Sequence, residues 1–303
     1  MSKRKKKSSL RIWHILISAL LVIACITVVV LCFLSYNTNS MLNDKIAGLE
    51  TENGSLESEI SSLKKELDDL NSWQEERKNT LSEIENLEAG SIVEADSVEN
   101  NLDAYFSINE IIEGDAVYNR ISGKSYRENQ YIQLSDLKYL KVLHYNFNHE
   151  IQVGEIIVNT VISEDVVSIF KELFAIEYEV QSMYLIDNYW TGDGGTTDTA
   201  SIDVNNTSAF CFRAVTGGRS LSNHAYGCAI DINPQQNPYV WYENGLKQWS
   251  HSNADPYIDR RTGDPHVIVA GDDCYNIFKK YGFSWGGEWS DPIDYQHFEK
   301  ELY

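Results

Sequence analysis

The chain contains little cysteine, and its cysteines do not form an even set outside the apolar N-terminal region. Five occur in 303 residues, and two of them, Cys25 and Cys32, lie in a long apolar run. The remaining three are an odd number, so no closed disulfide framework is implied. A bond between Cys211 and Cys228 stays open. The alternative is that all three, Cys274 included, are buried thiols that pack as small hydrophobic groups.

Basic residues are scarce beyond the first eleven positions. The sequence has 25 Lys and Arg against 45 Asp and Glu, and six of the basic residues precede the first acidic residue, Asp44. Nucleic-acid binding requires clustered Lys and Arg that neutralise phosphates, so this composition argues against a nucleic-acid partner. A strongly acidic body suits a soluble domain in the cation-rich surroundings of a bacterial surface.

Charge of either sign is absent between Arg11 and Asp44, and within residues 15–34 only Ser18 and Thr27 are polar. At about 1.5 Å per residue, a helix of this length spans a hydrocarbon core of about 30 Å. The basic cluster before this run orients the N-terminus toward the cytoplasm. We therefore predict a basic cytoplasmic tail (residues 1–11) and a transmembrane helix (residues 12–36). The rest would be extracytoplasmic, anchored in the cell membrane by a single pass.

Lipidation is the alternative form of anchoring. The stretch Val22-Ile23-Ala24-Cys25 resembles a lipoprotein cleavage box. The residues that follow it, 26–34, remain apolar, whereas a lipidated mature terminus is usually polar. An uncleaved single-pass helix is therefore favoured, and lipidation at Cys25 stays open.

A heptad pattern of apolar residues begins at Leu42 and predicts a coiled-coil stalk over residues 42–88. At about 1.5 Å per residue, a continuous helix of this length is roughly 70 Å long, so the stalk would act as a spacer. We expect it to join two copies into a homodimer, although an antiparallel fold-back would use the same stripe. The two registers contain Leu42, Leu49, Leu56, Leu63, Leu70 and Ile84 at d positions, and Ile46, Asn53, Ile60, Leu67, Gln74 and Leu81 at a positions.

The heptad pattern ends before residues 89–103, which we interpret as a linker. Residues 104–303 then show short alternating strands and a few helices. Strands are predicted over residues 142–147 and 154–158, joined by a polar turn, and over 181–187. Ser163 is expected to cap a helix, and residues 273–281 to form another helix closed by Gly282. Residues 191–199 are interpreted as a loop. These features indicate an α+β domain with a small antiparallel sheet and flanking helices.

Two clusters near the end of the chain, residues 222–234 and 285–299, contain the chemistry. A bend at Gly227 can bring His224 back toward Asp231 on the following strand. Asp294 and His297, three residues apart, can face one point from a helical turn. Two histidines and one carboxylate leave the fourth position of a catalytic zinc ion open, and a separate acid can accept a proton. We therefore predict one zinc ion held by His224, Asp231 and His297, with Asp294 as general base.

These residues resemble the motifs of the bacterial and phage zinc D-alanyl-D-alanine carboxypeptidases and L-alanyl-D-glutamate endopeptidases, which include the vancomycin-resistance D,D-peptidases. The similarity covers roughly residues 130–303. It implies the same ligands and base, an arginine at Arg213 that steadies the scissile carbonyl, and Ser222 near the substrate peptide. The matching segments are Leu140 to Asn159, Asn205 to Arg213, Ser222 to Pro234 and Trp285 to Glu299.

The resemblance implies a membrane-anchored zinc peptidase that hydrolyses the stem peptide of peptidoglycan, with residues 104–303 as its zinc peptidase domain. The vancomycin-resistance enzymes have Glu three residues before the last histidine, whereas this chain has Asp294. That difference weakly favours endopeptidase over carboxypeptidase cleavage.

Several alternatives stay open from the sequence. Arg213 could pair with one of the many acids. We expect Trp285 and Trp289 to lie in the core rather than to contact substrate. The whole domain could be a non-catalytic module that binds the cell wall and retains the peptidase fold.

Overall fold

The computed structural model describes the backbone of residues 2–301 and the side chains of residues 10–301. Most side chains of the predicted cytoplasmic tail, and residues 302 and 303 at the end of the predicted peptidase domain, lie outside this range. The chain forms two units, the first ending at Lys78 and the second beginning at Asn79.

Helix α1 (Ser2–Glu85) forms the first unit up to Lys78, and its last residues belong to the second unit. No proline interrupts it, and its apolar part has a mean hydropathy of 3.2 over 18 residues. From Leu10 onward this helix is therefore long and apolar enough to be a candidate transmembrane segment. The helix is unbroken through the heptad region, whereas an antiparallel fold-back would need a turn there. The d-position leucines are about half exposed in the single chain, from 50% at Leu70 to 56% at Leu63.

The end of α1 packs within the second unit. Ile84, the last member of the heptad pattern, is buried there. The Lys141 ammonium donates to the carbonyl oxygens of Glu85 and Leu87, at 2.7 Å each. A cation at this position satisfies carbonyls that the helix leaves unpaired and interacts favourably with the helix dipole. The heptad pattern therefore ends in the fold of the second unit, and the helix ends at Glu85 rather than residue 88.

Residues 89–103, interpreted above as a linker, pack against the rest of the second unit. Gly90 and Val93 donate backbone hydrogen bonds to Val153 and Ile151, at 2.8 and 2.9 Å. Helix α2 (Ala95–Asn101) then buries Val98 against the core. Polar residues dominate this segment, so its few anchoring apolar side chains produce no periodic signal in the sequence.

The second unit is an α+β fold with several small sheets, as predicted for its class. Its helices after α2 are α3 (Ala116–Ile121), α4 (Ser163–Ala175), α5 (Gly194–Asp203) and α6 (Asp273–Lys280). Its strands are β1 (Ser107–Glu110), β2 (Leu137–Tyr145), β3 (Ile151–Asn159), β4 (Ser182–Met183), β5 (Asn206–Thr207), β6 (Ala229–Asp231), β7 (Tyr239–Glu243), β8 (Leu246–Trp249), β9 (Ser284–Trp285), β10 (Ile293–Asp294) and β11 (His297–Glu299).

The β2 and β3 hairpin forms the main sheet together with β1, in the order β1, β2, β3 and antiparallel throughout. This confirms the two predicted strands, although each is longer than expected. Helix α4 covers the sheet through Phe170 and Leu173, which belong to the same buried cluster as Leu140. That cluster continues to Phe298 on β11, so the main core extends to the strands that carry the predicted ligands.

Three local predictions need correction. Ser163 is the first residue of α4 rather than its cap, and its hydroxyl donates to the Thr160 carbonyl at 2.9 Å. The predicted loop over residues 191–199 contains the start of α5, capped by Asp193. The strand predicted over residues 181–187 is only two residues long, because a one-turn helix (Ile186–Tyr189) follows it. In contrast, α6 is confirmed, with Gly282 in the left-handed region at φ 82° just beyond its end.

Two further sheets form the site region. The first has the order β6, β11, β9 and the second the order β10, β7, β8, both antiparallel. Backbone bonds tie the first of them to the rest of the fold: Ser208 and Asp231 exchange two hydrogen bonds of 3.1 and 2.8 Å, and Asn159 at the end of β3 donates to the Gly227 carbonyl at 2.8 Å.

Candidate metal and catalytic site

The three predicted metal ligands lie together and are buried. Asp231 ends β6 and His297 begins β11, and the antiparallel register places them directly opposite one another. His224 belongs to a one-turn helix, Asn223–Tyr226, just before β6. His224 Nε2 lies 3.2 Å from Asp231 Oδ2 and 3.2 Å from His297 Nδ1, and His297 Nδ1 lies 3.1 Å from Asp231 Oδ1.

Gly227 provides the bend that brings His224 back to Asp231. Its φ of 68° is in the left-handed region, where a side chain is disfavoured. A Cβ at this position would also lie 2.7 Å from the Asn159 backbone nitrogen. Glycine is therefore required both by backbone conformation and by the close approach of β3, and the predicted bend is confirmed.

Each histidine is oriented by the ring nitrogen that faces away from the cluster. His224 Nδ1 donates to the Ala209 carbonyl oxygen at 2.6 Å. His297 Nε2 donates to Glu299 Oε2 at 3.0 Å. These bonds leave His224 Nε2 and His297 Nδ1 facing Asp231, as metal-ligating histidines usually are.

The donor set fits a zinc ion. Zinc bonds of about 2.0–2.1 Å in a tetrahedron place neighbouring ligand atoms about 3.3 Å apart, close to the spacing seen here. All three ligand atoms lie within 4.8 Å of one another, and among the described residues this is the group with that property. His144, His149, His251 and His266 are outside it. One carboxylate and two imidazoles leave one coordination position open, which is typical of catalytic rather than structural zinc.

The electrostatics of the cluster favour a cation. Burial alone would raise the pKa of Asp231, but the two histidines, His224 first, hold it well below its ordinary value. Burial alone would lower the pKa of His297, but hydrogen bonds to Asp231 and Glu299 raise it to about 10. The Asp231 carboxylate thus stabilises positive charge on the imidazoles beside it.

Asp294 lines the same cleft as the ligands and is buried. It lies on β10, paired with β7, so the helical turn predicted for Asp294 and His297 was wrong. Its Oδ1 has no hydrogen-bond partner, which is unusual for a buried carboxylate. Burial, and then the negative charge of Asp231, raise the pKa of Asp294 above its ordinary value. A carboxylate with a free oxygen and raised proton affinity is suited to accept a proton.

Gly286 allows this strand to lie close to the ligands. A Cβ there would lie 2.6 Å from the Asp294 carbonyl oxygen, 3.0 Å from Asp294 Cβ and 3.3 Å from His297 Cβ. The first glycine of the Trp285-Gly286-Gly287 motif is therefore a packing requirement of the site.

Arg213 lines the cleft and is largely buried beside an acid. Its Nη2 lies 2.9 Å from Asp198 Oδ2 on α5, and the exposed fractions of the two side chains are 9% and 12%. Arg213 therefore does pair with an acid, which was the alternative open from the sequence. The pair also places the guanidinium in the cleft. Its Nε is buried without a partner. Sequence reasoning missed Asp198, because a Thr and Gly-rich segment gave no sign of a helix.

Ser222 is buried at the edge of the cleft and caps the turn that carries His224. Its Oγ accepts from the His224 backbone N–H at 3.3 Å. The structure therefore gives Ser222 a contact with a predicted ligand residue, in addition to a position on the cleft wall.

The cleft has a volume of about 870 Å³ and is partly open to solvent. Tyr239, opposite Asp294 on β7, and Trp289 form part of its wall. Trp289 is 38% exposed, so its prediction as a core residue was wrong, whereas Trp285 is buried as expected. Cys211, Cys228 and Cys274 are free buried thiols, which leaves no disulfide among them.

Comparison with known protein families gave a match that covers most of this site. Residues 216–300 match the family model described as D-alanyl-D-alanine carboxypeptidase. No curated protein and no solved structure gave a match. The matched segment contains His224, Asp231, Asp294 and His297, and it ends just after β11. The match agrees with the family that the motifs resemble.

Proposed function

We propose that this protein is a membrane-anchored zinc metallopeptidase that hydrolyses peptide bonds of the peptidoglycan stem peptide. The observation that carries the proposal is the buried cluster of His224, Asp231 and His297 beside an unpartnered Asp294 oxygen. The family match supports a peptidase that acts on the cell wall. The zinc dependence, the substrate and the anchor are part of the proposal.

The catalytic roles follow from the positions of the side chains. When bound, zinc supplies a Lewis acid that polarises the scissile carbonyl and lowers the pKa of water. Asp294 accepts the proton from the attacking water and returns it to the leaving amine. Arg213, fixed by Asp198, donates to the oxygen that becomes negative as the carbonyl is attacked. The cleft walls hold the peptide and exclude part of the bulk water.

Paired variants separate the base from the ligands. We expect Asp294→Asn to retain one zinc ion per chain but to lose turnover by at least 10²-fold, the usual contribution of a general base. His224→Ala should lose both zinc and turnover, because two ligands do not hold the ion. Metal content by plasma mass spectrometry and hydrolysis of muropeptides measure the two effects. Full activity in Asp294→Asn would eliminate its assigned role.

The bond cleaved is identified from the products. Digestion of disaccharide pentapeptides by the full chain in detergent, followed by mass spectrometry, gives loss of a terminal D-Ala for a carboxypeptidase and a cut after L-Ala for an endopeptidase. A protein that binds these peptides without zinc and without product would instead be a non-catalytic cell-wall module.

We also propose that α1 anchors the protein and joins two copies. A single pass orients every copy in the same direction, so pairing of the stalks would be parallel. In a parallel pair, g and e positions of neighbouring heptads face each other. Lys45 would then meet Glu50 of the second copy and Glu59 would meet Lys64, although Glu52 and Glu57 repel. Cross-linking of full chains in native membranes tests the pairing.

A further inference from the structure

Glu299 lies at the edge of the cluster and contacts both of its histidine-bearing elements. It is two residues beyond His297 on β11, so both side chains project from the same face of the strand. Its Oε2 accepts from His297 Nε2 at 3.0 Å and from the Asn223 side-chain amide at 2.5 Å. Asn223 directly precedes His224. One carboxylate oxygen thus links the strand that carries one ligand to the turn that carries another.

The contact decides which His297 nitrogen faces the cluster. The imidazole can rotate about its terminal torsion into two orientations related by a half turn. In the observed one, Nε2 faces Glu299 and Nδ1 lies between His224 Nε2 and Asp231 Oδ1. A carboxylate opposite Nε2 requires a proton on that nitrogen. When a metal ion is bound, Nδ1 gives up its proton and directs its lone pair toward the ion between the three ligands.

The surroundings of Glu299 restrict its position, so its carboxylate stays opposite His297 Nε2. Its side chain is 18% exposed, and its second partner, Asn223, holds the accepting oxygen from another direction. The β9 and β6 strands flank β11 on both sides, which restricts the backbone at Glu299. In comparison, Glu288 bonds Tyr275 and Lys279 at the surface and touches no ligand.

We infer that Glu299 is a positioning residue for the metal centre. It fixes the tautomer and the ring orientation of His297, and through Asn223 it sets the position of His297 relative to His224. This inference rests on the proposed zinc site, but it concerns affinity and coordination geometry rather than turnover. Such outer partners of ligating histidines typically contribute 10- to 100-fold to metal affinity.

The test uses the full chain, purified in detergent and stripped with a chelator. Zinc affinity is measured by competition with a chromophoric chelator, and the coordination geometry by the visible absorption of the Co²⁺-substituted protein. We expect Glu299→Ala to bind zinc 10- to 100-fold more weakly and to change the Co²⁺ spectrum. Glu299→Gln keeps an acceptor oxygen but not the charge, so it should lie between the wild type and Glu299→Ala. Glu288→Gln, the matched control, should bind as the wild type does.

Each outcome decides a separate claim. Equal zinc affinity and an unchanged Co²⁺ spectrum in Glu299→Ala would overturn the positioning role while leaving the metal site intact. If the wild type itself binds no zinc, the proposed function fails instead. Should Glu299→Ala not fold, Glu299→Gln decides alone, since wild-type affinity and spectrum in that variant would also reject the inference.

Discussion

His144, at the residue scale, is a buried group whose ionisation opposes folding at low pH. It lies on β2, donates from Nδ1 to the Tyr145 carbonyl at 3.1 Å and has no partner at Nε2. Burial lowers the pKa of His144 from 6.5 to about 4. The unfolded chain therefore binds a proton more readily than the folded chain between these two values, so stability falls as the pH decreases from about 6.5 to about 4.

This predicts an acid-sensitive stability that one substitution removes. The full shift corresponds to at most about 3 kcal/mol lost at or below pH 4. His144→Gln cannot ionise, so its stability should decrease less than that of the wild type between pH 7 and pH 5. Urea unfolding followed by tryptophan fluorescence measures the difference. His149→Gln, at an exposed position, is the control. An identical pH dependence in wild type and His144→Gln would contradict the assignment.

Gly286 gives a second prediction at this scale. The missing Cβ leaves room for the Asp294 backbone and for His297, so Gly286→Ala must displace β10 or β11. Overpacking of this kind costs about 1–3 kcal/mol, and here the displaced groups include a metal ligand. We therefore expect Gly286→Ala to be less stable and to bind zinc more weakly. Gly195→Ala, whose Cβ would meet only Asp193 at 3.4 Å, should show no comparable overpacking cost. Unfolding curves and zinc titration compare the two.

Helix α5, at the element scale, depends on one capping residue. Asp193 accepts from the backbone N–H groups of Gly195 and Thr196 at 2.9 and 3.1 Å. The helix has a Gly-Gly-Thr-Thr start of low intrinsic helix propensity, so the cap matters more than usual. Because α5 carries Asp198, which holds Arg213, the cap also supports the cleft.

Removal of that cap should therefore affect both stability and catalysis. We expect Asp193→Ala to lose about 0.5–2 kcal/mol of stability and to lower kcat/KM, because Asp198 no longer holds Arg213 firmly. Asp193→Asn retains a capping oxygen and should stay close to the wild type in both measurements. Wild-type stability and kinetics in Asp193→Ala would show that α5 is fixed by packing alone.

Helix α5 and the site residues show how much of the structure could be predicted from the sequence. The ligands His224, Asp231 and His297 were predictable, because a short motif with a required glycine fixes their spacing. The hairpin of β2 and β3 was also predictable from its apolar strands and polar turn. Helix α5 was not predictable, since its capping hydrogen bonds and its packing outweigh its low intrinsic helix propensity. The contact of Glu299 with Asn223 and that of Asp198 with Arg213 join residues from different elements, so no local pattern encodes them.

At the scale of the whole molecule, the sequence separates three physical environments along one chain. Six basic residues precede the apolar run, and all 45 acidic residues follow it. The heptad pattern begins eight residues after the apolar run ends and stops where Ile84 is buried in the second unit. If α1 anchors the protein as proposed, its stalk would hold the second unit within a fixed range of distances from the membrane.

If the stalks form a parallel dimer, the seam between the two helices should continue through the membrane segment. Ser18, Cys25 and Cys32 are seven residues apart, and the same spacing continues through Asn39 to the a position Ile46. A supercoiled pair that keeps this register would place the small residues of the membrane helix along its seam, as helix pairs in lipid prefer. Cys25 and Cys32 of one copy would then face the same residues of the second copy.

Oxidation of membranes that contain the full chain should therefore produce a disulfide-linked dimer without any engineered cysteine. Cys25→Ser and Cys32→Ser should each reduce the product, and the double variant should abolish it, because the other three thiols are buried. Leu56→Asp together with Leu63→Asp, which charges the stalk seam, should reduce it as well. Non-reducing electrophoresis measures the dimer. A product that persists in the double cysteine variant, or its absence in the wild type, would show that the seam does not continue through the membrane.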